Sequence, residues 1–514
     1  MPTITRLEDI PGKWATVRPD AVALVDTSGP FNWSQLEAAR TSLAAQLHSL
    51  GVRPGDRVMI VGENCATLVA LLFAVATLDA WMVIVNARLS AREVDVIRDH
   101  CGACCAVYLP DGSTDALMHA TRHEAVPMTT PSDWGTILRS PLDASCAPEA
   151  AAGAPRDRVA ALVYTTGTTG EPKGVMLTHA NLLFVAKAAV QLRALTADDH
   201  ILGVLPLAHV YGLSSVCLAS LLAGACIHLK PRFTPEAMQS ALEVDRVTVC
   251  QGVPAMYSKY VEFLAATGRK INAPRLRAIY CGGSPLTASV KSAVESVFSL
   301  TLHNGYGLTE AAPTVTQTRH EAPRGDCSVG PALPGVELRI ARKGGGNAAP
   351  GEVGELWVRG PNVMRGYYRD ERASREALPH AGWLATGDLA RIDPDSAVHI
   401  EGRLKELIIR SGFNVYPAEV EAVLNAHPEV SQSAVVGRDV EGNEEVVAFV
   451  ELVAGARVAA PDLLAFAAAG LAPYKRPAEV VVMARLPAAP SGKVLKGRLK
   501  EMARASARPA APGR

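Results

Sequence analysis

The sequence predicts an α/β protein: a large N-terminal domain of stacked α/β sheets carrying a β-subdomain, then a small α+β C-terminal domain. Three observations lead there. Short β-branched runs alternate with longer helical patterns over most of the 514 residues. From about Val329 the texture turns to short alternating runs split by glycine-rich turns. After Glu401 a compact strand–helix–strand segment of ordinary domain size follows. Strand–helix alternation builds mostly parallel sheets covered by helices, whereas alternating runs joined by tight turns build antiparallel ones.

The elements follow in order. "DRVMIVG" (56–62) is a buried strand, "CATLVALLFAVATL" (65–78) the helix after it, and "MVIVN" (82–86) the next strand. "SAREVDVIRDH" (90–100) is an amphipathic helix with Ser90 as N-cap, and "CAVYL" (105–109) is the strand it leads to. The pattern returns at "HILGVLPLA" (200–208), "ACIHLK" (225–230), "VTVCQGV" (247–253) and "LRAIYCGG" (276–283). The stretch 329–360 reads as the antiparallel subdomain. In the last segment "YPAEVEAVLNAH" (416–427) is a helix, while "SAVVGR" (433–438), "EVVAFVEL" (445–452) and "EVVVMA" (479–484) are strands. The alanine-, proline- and arginine-rich tail "ARASARPAAPGR" (503–514) is expected to be disordered.

Composition narrows the function classes. Lysine plus arginine equals aspartate plus glutamate, 51 each, so the formal net charge is zero. That argues against a nucleic-acid binder, which needs a basic face. The N-terminus lacks a basic region leading into an apolar one, so no secretory signal is expected and a cytoplasmic location is. The apolar stretches 67–85 and 213–229 read as buried helices running into strands, with Asp79 interrupting the first, and no integral membrane segment is expected. The ten cysteines form no disulfide framework. "HCGACC" (100–105) lacks a second cluster at zinc spacing, so free, mostly buried thiols are expected.

The chemistry centres on "YTTGTTGEPKGV" (164–175). The common phosphate loop places its lysine directly after the second glycine; here Glu171 and Pro172 separate Gly170 from Lys173. The composition still suits an anion. Gly167 and Gly170 let backbone N–H groups approach it, Thr165, Thr166, Thr168 and Thr169 add hydroxyls, and Lys173 adds a charge. Downstream, "NGYGLTE" (304–310) holds Tyr306 between Gly305 and Gly307, where a ring can lie against a purine. Thr309 and Glu310 follow, oxygen donors of the kind a divalent cation bridging phosphates requires. "TGD" (386–388) offers the Asp388 carboxylate to a ribose, "GRLKELI" (402–408) offers Arg403, and "PSGKVLK" (490–496) offers Lys493 in a glycine-flexed loop.

In this order the motifs resemble those of the adenylate-forming superfamily of acyl-CoA synthetases, luciferases and peptide-synthetase adenylation domains. The resemblance runs from "GVRPGDRVMIVGEN" (51–64) to Lys493, with two departures: Thr166 stands where serine is usual, and Ser411 where many members have glycine. It implies two steps. A carboxylate attacks the α-phosphate of ATP to give acyl-AMP and pyrophosphate; a small mobile C-terminal domain then turns, and a thiol displaces AMP. It implies an N-terminal adenylation domain at 1–401, a hinge at 402–405 with Lys405 at the joint, and the mobile domain at 406–514. By resemblance, Thr165 to Lys173 hold the β- and γ-phosphates, with Asn304, Gly305 and Gly307 lining the nucleotide site. Tyr306 stacks on adenine, Asp388 binds ribose, and Arg403 contacts ribose or phosphate. Glu310, beside Thr309, helps hold Mg²⁺. Lys493 bridges carboxylate and α-phosphate.

The acid and the thiol are inferred from three short segments. "PLAHVYGLSS" (206–215) has no acidic residue to grip an α-ammonium group. Neither it nor "CGGSPL" (281–286) nor "NGYGLTE" contains an arginine for a second carboxylate. An apolar monocarboxylic acid is therefore expected, with medium-chain fatty and benzoate- or cinnamate-like acids both open. His209 matches the position that gates the thiol tunnel. Gly282, Gly283 and Gly305 leave room beside the acyl chain, Ser284 adjoins them, and Tyr211 closes the pocket or bonds a ring substituent. Coenzyme A is the expected acceptor, with Ser411, Gly412, Tyr474 and Lys475 of "LAPYKRP" (471–477) and the "SGFNVYPAEVE" (411–421) segment beside it. A ligase loading a carrier protein and a non-catalytic acyl-adenylate binder are the alternatives. A homodimer is compatible with the sequence.

Overall fold

The structure, a computed structural model, describes residues 4–129, 134–151, 153–166, 172–342, 346–380, 382–411, 413–440, 443–453, 455–488 and 494–506. Gly167, Thr168, Thr169, Gly170, Gly412 and Lys493 lie outside them, and Thr166 is described in its backbone alone.

Two large sheets carry the N-terminal part, the first mainly parallel and the second parallel at its centre and antiparallel toward both edges. The first runs, edge to edge, Thr314–Gln317, Leu302–Gly307, Ala278–Gly282, Val249–Gly252, His200–Gly203, Cys226–Leu229, Val22–Asp26 and Gly29–Asn32, with antiparallel strands only at its two edges. The second places Arg57–Gly62 between Trp81–Asn86 and Cys105–Tyr108, all parallel, and adds the antiparallel pair Val159–Thr166 and Pro172–Thr178 beside Trp81–Asn86. Parallel strands of this kind are buried on both faces, and Arg57–Gly62 is buried throughout.

The helix Ala66–Thr77 is apolar all round because it sits inside the main core, with every residue from Ala66 to Ala76 buried. No helix among the described residues is long and apolar enough to cross a membrane. Helix starts follow local chemistry. Ser90 and Glu93 form a reciprocal capping box before Ala91–Cys101, and Thr178 and Asn181 do the same before His179–Leu192. The ten cysteines are free, and eight of them are buried.

Glu337–Ala341, Gly354–Arg359, Trp383–Ile392 and Val398–Arg403 form an antiparallel sheet in that order, which is the β-subdomain. Beyond it, Val430–Val440, Asn443–Leu452 and Glu479–Met483 make a three-stranded sheet. It packs its own two apolar clusters, one on each side of the alternation, drawn entirely from residues between Ile408 and Ala503. Helix Lys496–Ala505 reaches into the tail expected to lack structure. Leu499 and Ala503 are fully buried there, so the apolar face of the helix extends the fold to residue 505; residues 507–514 are outside those described.

Candidate active site

The glycine- and threonine-rich loop joins two paired strands. Thr165 stands opposite Lys173 and Thr166 opposite Pro172, so the register brings the first hydroxyl and the lysine to one end of a hairpin. Lys173 Nζ lies 4.9 Å from the centroid of the Tyr367 ring. Tyr367 arrives on the short strand Gly366–Tyr367, which pairs with Pro172–Thr178. Its hydroxyl donates to Glu310 Oε1 at 2.7 Å. Burial, helped by the Glu310 carboxylate, pushes this phenol far up, so it stays a donor. A chain of contacts thus runs from the loop's lysine to the carboxylate expected to hold a cation. Tyr367 was invisible to motif reading, because only the pairing of distant strands places it there.

"NGYGLTE" turns from the strand Leu302–Gly307 into the single turn Thr309–Ala311. Tyr306 Oη donates to Asp388 Oδ2 at 2.5 Å, and Arg403 Nε stands 3.1 Å from Asp388 Oδ1. Asp388 and Arg403 are directly paired on neighbouring strands, which fixes that contact by register. Burial and then Asp388 drive the Tyr306 phenol well above its ordinary value. Burial alone would lower the Arg403 guanidinium, but Asp388, Glu406, Tyr306 and Glu310 together raise it. Tyr306, Glu310, Asp388 and Arg403 therefore belong to one electrostatic cluster. Thr309 is buried beside it.

Two motif residues are used by the fold itself. The Asn304 amide donates to Cys327 O at 3.1 Å and Ser328 O at 3.3 Å, while its oxygen accepts from Gly305 N at 3.0 Å. A Cβ on Gly307 would lie 2.2 Å from Pro313 O, so this glycine is needed for close backbone approach.

Of the residues expected beside the acyl chain, Gly282 and Gly305 lie on one face of the first sheet. Gly282 pairs with Gly305 and Gly305 with Gln317; two residues down, Tyr280 pairs with Gln251. Side chains alternate along a strand, so all five positions share a face. A Cβ on Gly282 would sit 3.0 Å from Gly305 O and 3.7 Å from Tyr211 Cε1, which puts Tyr211 over the glycine floor. Gly283, with φ +81°, and Ser284 follow at the carboxyl end of the same strand. Tyr211 opens the π-helix Tyr211–Leu218. The turn before it is pinned by buried Asn64, whose amide donates to Gly203 O and Leu205 O and accepts from Leu207 N. His209 is exposed on that turn, its Nδ1 accepting from Tyr211 N at 3.3 Å.

The three segments that carry the pocket hold no arginine, yet the fold adds one from outside them. Arg193 is 3% exposed and donates to Gln317 Oε1 at 3.0 Å, to Ser215 O at 2.7 Å and to Gln251 Oε1. Its guanidinium lies over the Tyr280 ring at 5.1 Å, and burial depresses its pKa. Gln251 Nε2, Gln317 Nε2 and Thr316 Oγ1 are buried with no hydrogen-bond partner among the described residues. No sequence motif signals this tier, because its members come from three strands and a helix end.

Past Arg403, the turn Leu404–Glu406 carries exposed Lys405 to the strand Ile408–Arg410. Ser411, at φ +52°, donates its N–H to Asn443 Oδ1 at 2.6 Å. Tyr474 stacks on Phe413 at 4.7 Å, and Lys475 Nζ pairs with Glu419 at 2.5 Å, which raises its pKa. Ser411, Phe413, Tyr474 and Lys475 thus sit on the small unit, away from the nucleotide cluster in sequence. Ala488 and Val494 form an isolated antiparallel bridge, one on each side of Lys493 in sequence. Lys496, just beyond, ties Glu406 of the turn Leu404–Glu406 at 3.0 Å to Glu421 at 2.8 Å. A cleft of about 660 Å³ near Arg98, Arg122 and His123 contains none of these residues.

Comparison with known proteins adds the following. The family model described as AMP-binding enzyme matches residues 12–368, and that described as AMP-binding enzyme C-terminal domain matches residues 419–493. The chain is 37% identical over 503 residues to a feruloyl-CoA synthase of an Amycolatopsis species, covering 95% of this chain and 98% of that protein. It is 34% identical over 504 residues to an indoleacetate–CoA ligase of Aromatoleum aromaticum, covering 95% and 96%. Among solved structures, an o-succinylbenzoate CoA synthetase of Bacillus subtilis in complex with its acyl-adenylate intermediate matches with a TM-score of 0.81 at 29% identity, covering 96% and 97%.

Proposed function

The chain belongs to the AMP-binding enzyme family, and from that premise we propose that its substrate is an aromatic carboxylic acid carrying a polar ring group. Membership carries the reaction class: an AMP-forming acid–CoA ligase that consumes ATP and works through an acyl adenylate. The observation that carries the finer reading is the polar tier behind the glycine floor. Gln251 and Gln317 each hold Arg193 by the side-chain oxygen and keep a buried Nε2 donor with no partner among the described residues. A buried donor left unmatched costs about 1–3 kcal/mol, so a saturated fatty tail suits this wall poorly and a ring oxygen suits it well. The relatives named for ferulate and indoleacetate support the same choice.

In the first step the acid and the triphosphate, both anionic, must be brought together, so catalysis rests on positioning and charge neutralisation. Thr165 to Lys173 hold the β- and γ-phosphates. Tyr306 stacks on adenine, anchored by Asp388, while Asp388 and Arg403 bind ribose. Glu310, held by Tyr367 and next to Thr309, offers a carboxylate oxygen that suits Mg²⁺, which would neutralise phosphate charge when bound. Lys493 meets charge developing between carboxylate and α-phosphate. Residues 402–405 then act as the hinge, with Lys405 at its centre. The small unit turns, presenting Ser411, Gly412, Tyr474 and Lys475 to CoA, and His209 opens the thiol's path.

A panel of acids tests the substrate assignment. A 4-hydroxylated cinnamate should exceed unsubstituted cinnamate and octanoate in kcat/KM by at least about tenfold, with α-amino acids and malonate poorer still. Octanoate turned over as well as the hydroxylated acid would overturn it.

A further inference from the structure

His200 opens the strand His200–Gly203 and Cys226 opens Cys226–Leu229. The two strands are parallel neighbours in register, His200 opposite Cys226 and Leu202 opposite His228. Cys226 and His228, two apart on one strand, therefore share a face with His200. The structure bears this out at the side chains. His200 Nδ1 is 2.9 Å from His228 Nε2, Cys226 Sγ is 3.7 Å from the same nitrogen, and the three ligand atoms lie within 4.8 Å of one another. Cys226 and His228 are about 5–6% exposed, whereas His200 is half-buried, leaving one side of the cluster open to solvent.

We propose that His200, Cys226 and His228 form a three-ligand site for a borderline-soft divalent cation, Zn²⁺, with water in the fourth position. Two imidazoles and a thiolate are a donor set that Zn²⁺ prefers over hard cations. Tetrahedral Zn²⁺ places two nitrogens about 3.3 Å apart and a nitrogen and a sulfur about 3.6 Å apart. The Cys226–His228 distance already fits, and half-buried His200 is the ligand that adjusts to complete the set.

The surroundings suit the ion. His228 Nδ1 is buried with no hydrogen-bond partner among the described residues, and Asp245 Oδ1 stands 3.7 Å from it. A carboxylate on that side orients a ligating imidazole through its other nitrogen. Asp245 is itself fixed by Lys230 Nζ at 2.7 Å. Binding releases the Cys226 thiol proton to solvent, and the ion's charge offsets the buried thiolate.

The site lies at the amino ends of two central strands, whereas Gly282, Gly283 and Gly307 stand at the carboxyl ends of parallel strands further along the sheet. An ion here clasps the middle of the sheet and takes no part in acyl transfer. Loss of a ligand should accordingly change metal affinity and the metal-dependent part of stability, with kcat unaltered.

Co²⁺ serves as the spectroscopic probe on the full chain. Wild type should bind one Co²⁺ with visible d–d bands of tetrahedral intensity and an ultraviolet thiolate-to-cobalt charge-transfer band, releasing about one proton per ion at pH 7. Zn²⁺ should displace it and raise Tm. Cys226→Ser should abolish the charge-transfer band, whereas Cys65→Ser, outside the cluster, should keep it. Half-buried His200→Gln, the variant least able to harm folding, should lose binding at least as much as Asp245→Asn, for which about 10–100-fold is expected. A charge-transfer band that survives both Cys226→Ser and His200→Gln, or its absence from wild type, would overturn the proposal.

Discussion

Tyr306 shows how one side chain can answer two needs. The sequence offered its ring, set between glycines, as a platform for adenine. The structure adds that its hydroxyl is spent on Asp388 at 2.5 Å, which also holds Arg403. Removing the hydroxyl should loosen the carboxylate without losing the ring, since a hydrogen bond to a charged group contributes about 1.5–3 kcal/mol. Tyr306→Phe is expected to raise the KM for ATP by about tenfold and leave that for the acid nearly unchanged; Tyr306→Ala should raise it further by the loss of stacking, worth about 1–3 kcal/mol. Steady-state kinetics with ATP and acid varied separately decide this. Equal effects of both variants on both substrates would remove the ring from the nucleotide site. Arg193 was beyond motif reading for the opposite reason: it stands in "QLRAL" (191–195) with nothing chemical beside it, and only the fold brings Gln251 and Gln317 to it.

At the scale of elements, the strands and helices with strong periodic patterns were legible. "DRVMIVG" and "MVIVN" lie within one residue of the observed strands Arg57–Gly62 and Trp81–Asn86, and Ser90 caps its helix as expected. Burial on both faces leaves continuous β-branched runs that no turn residue interrupts. The last helix was misjudged because alanine and arginine near a terminus suit a disordered tail as well as an amphipathic helix; the apolar pair Leu499 and Ala503, four apart, was the signal. The His200–Cys226–His228 cluster escaped notice because its spacing matches no zinc motif and only parallel pairing closes it. Register also makes a testable statement about the acyl floor. A methyl on Gly282 would press on Gly305 O at 3.0 Å and reach Tyr211 at 3.7 Å. Gly282→Ala should therefore cost a bulky aryl acid about 10–100-fold in kcat/KM while costing a small acid such as acetate much less. An equal loss for both would mean the glycine serves the backbone alone.

Over the whole molecule, the order of motifs told more than any one of them. The family, the reaction class and the α/β plan with its smaller C-terminal unit were all readable from that order. Which residues meet was not, since Lys173, Tyr367 and Glu310 are joined by strand pairing across almost two hundred positions. The C-terminal part packs separate cores between Ile408 and Ala503, and the turn Leu404–Glu406 leads into it, which is compatible with the proposed hinge. On the proposed hinge motion, Lys493 serves one half-reaction only. The direct measurement is acid-dependent exchange of labelled pyrophosphate into ATP without CoA, set beside thioester formation from supplied acyl-AMP and CoA. Wild type should perform both. Lys493→Ala should lose the exchange by about 10²–10³, the usual cost of one donor to developing charge, and keep the thioester step at the wild-type rate. Exchange that proceeds undiminished in Lys493→Ala, or an equal slowing of both half-reactions, would contradict the account.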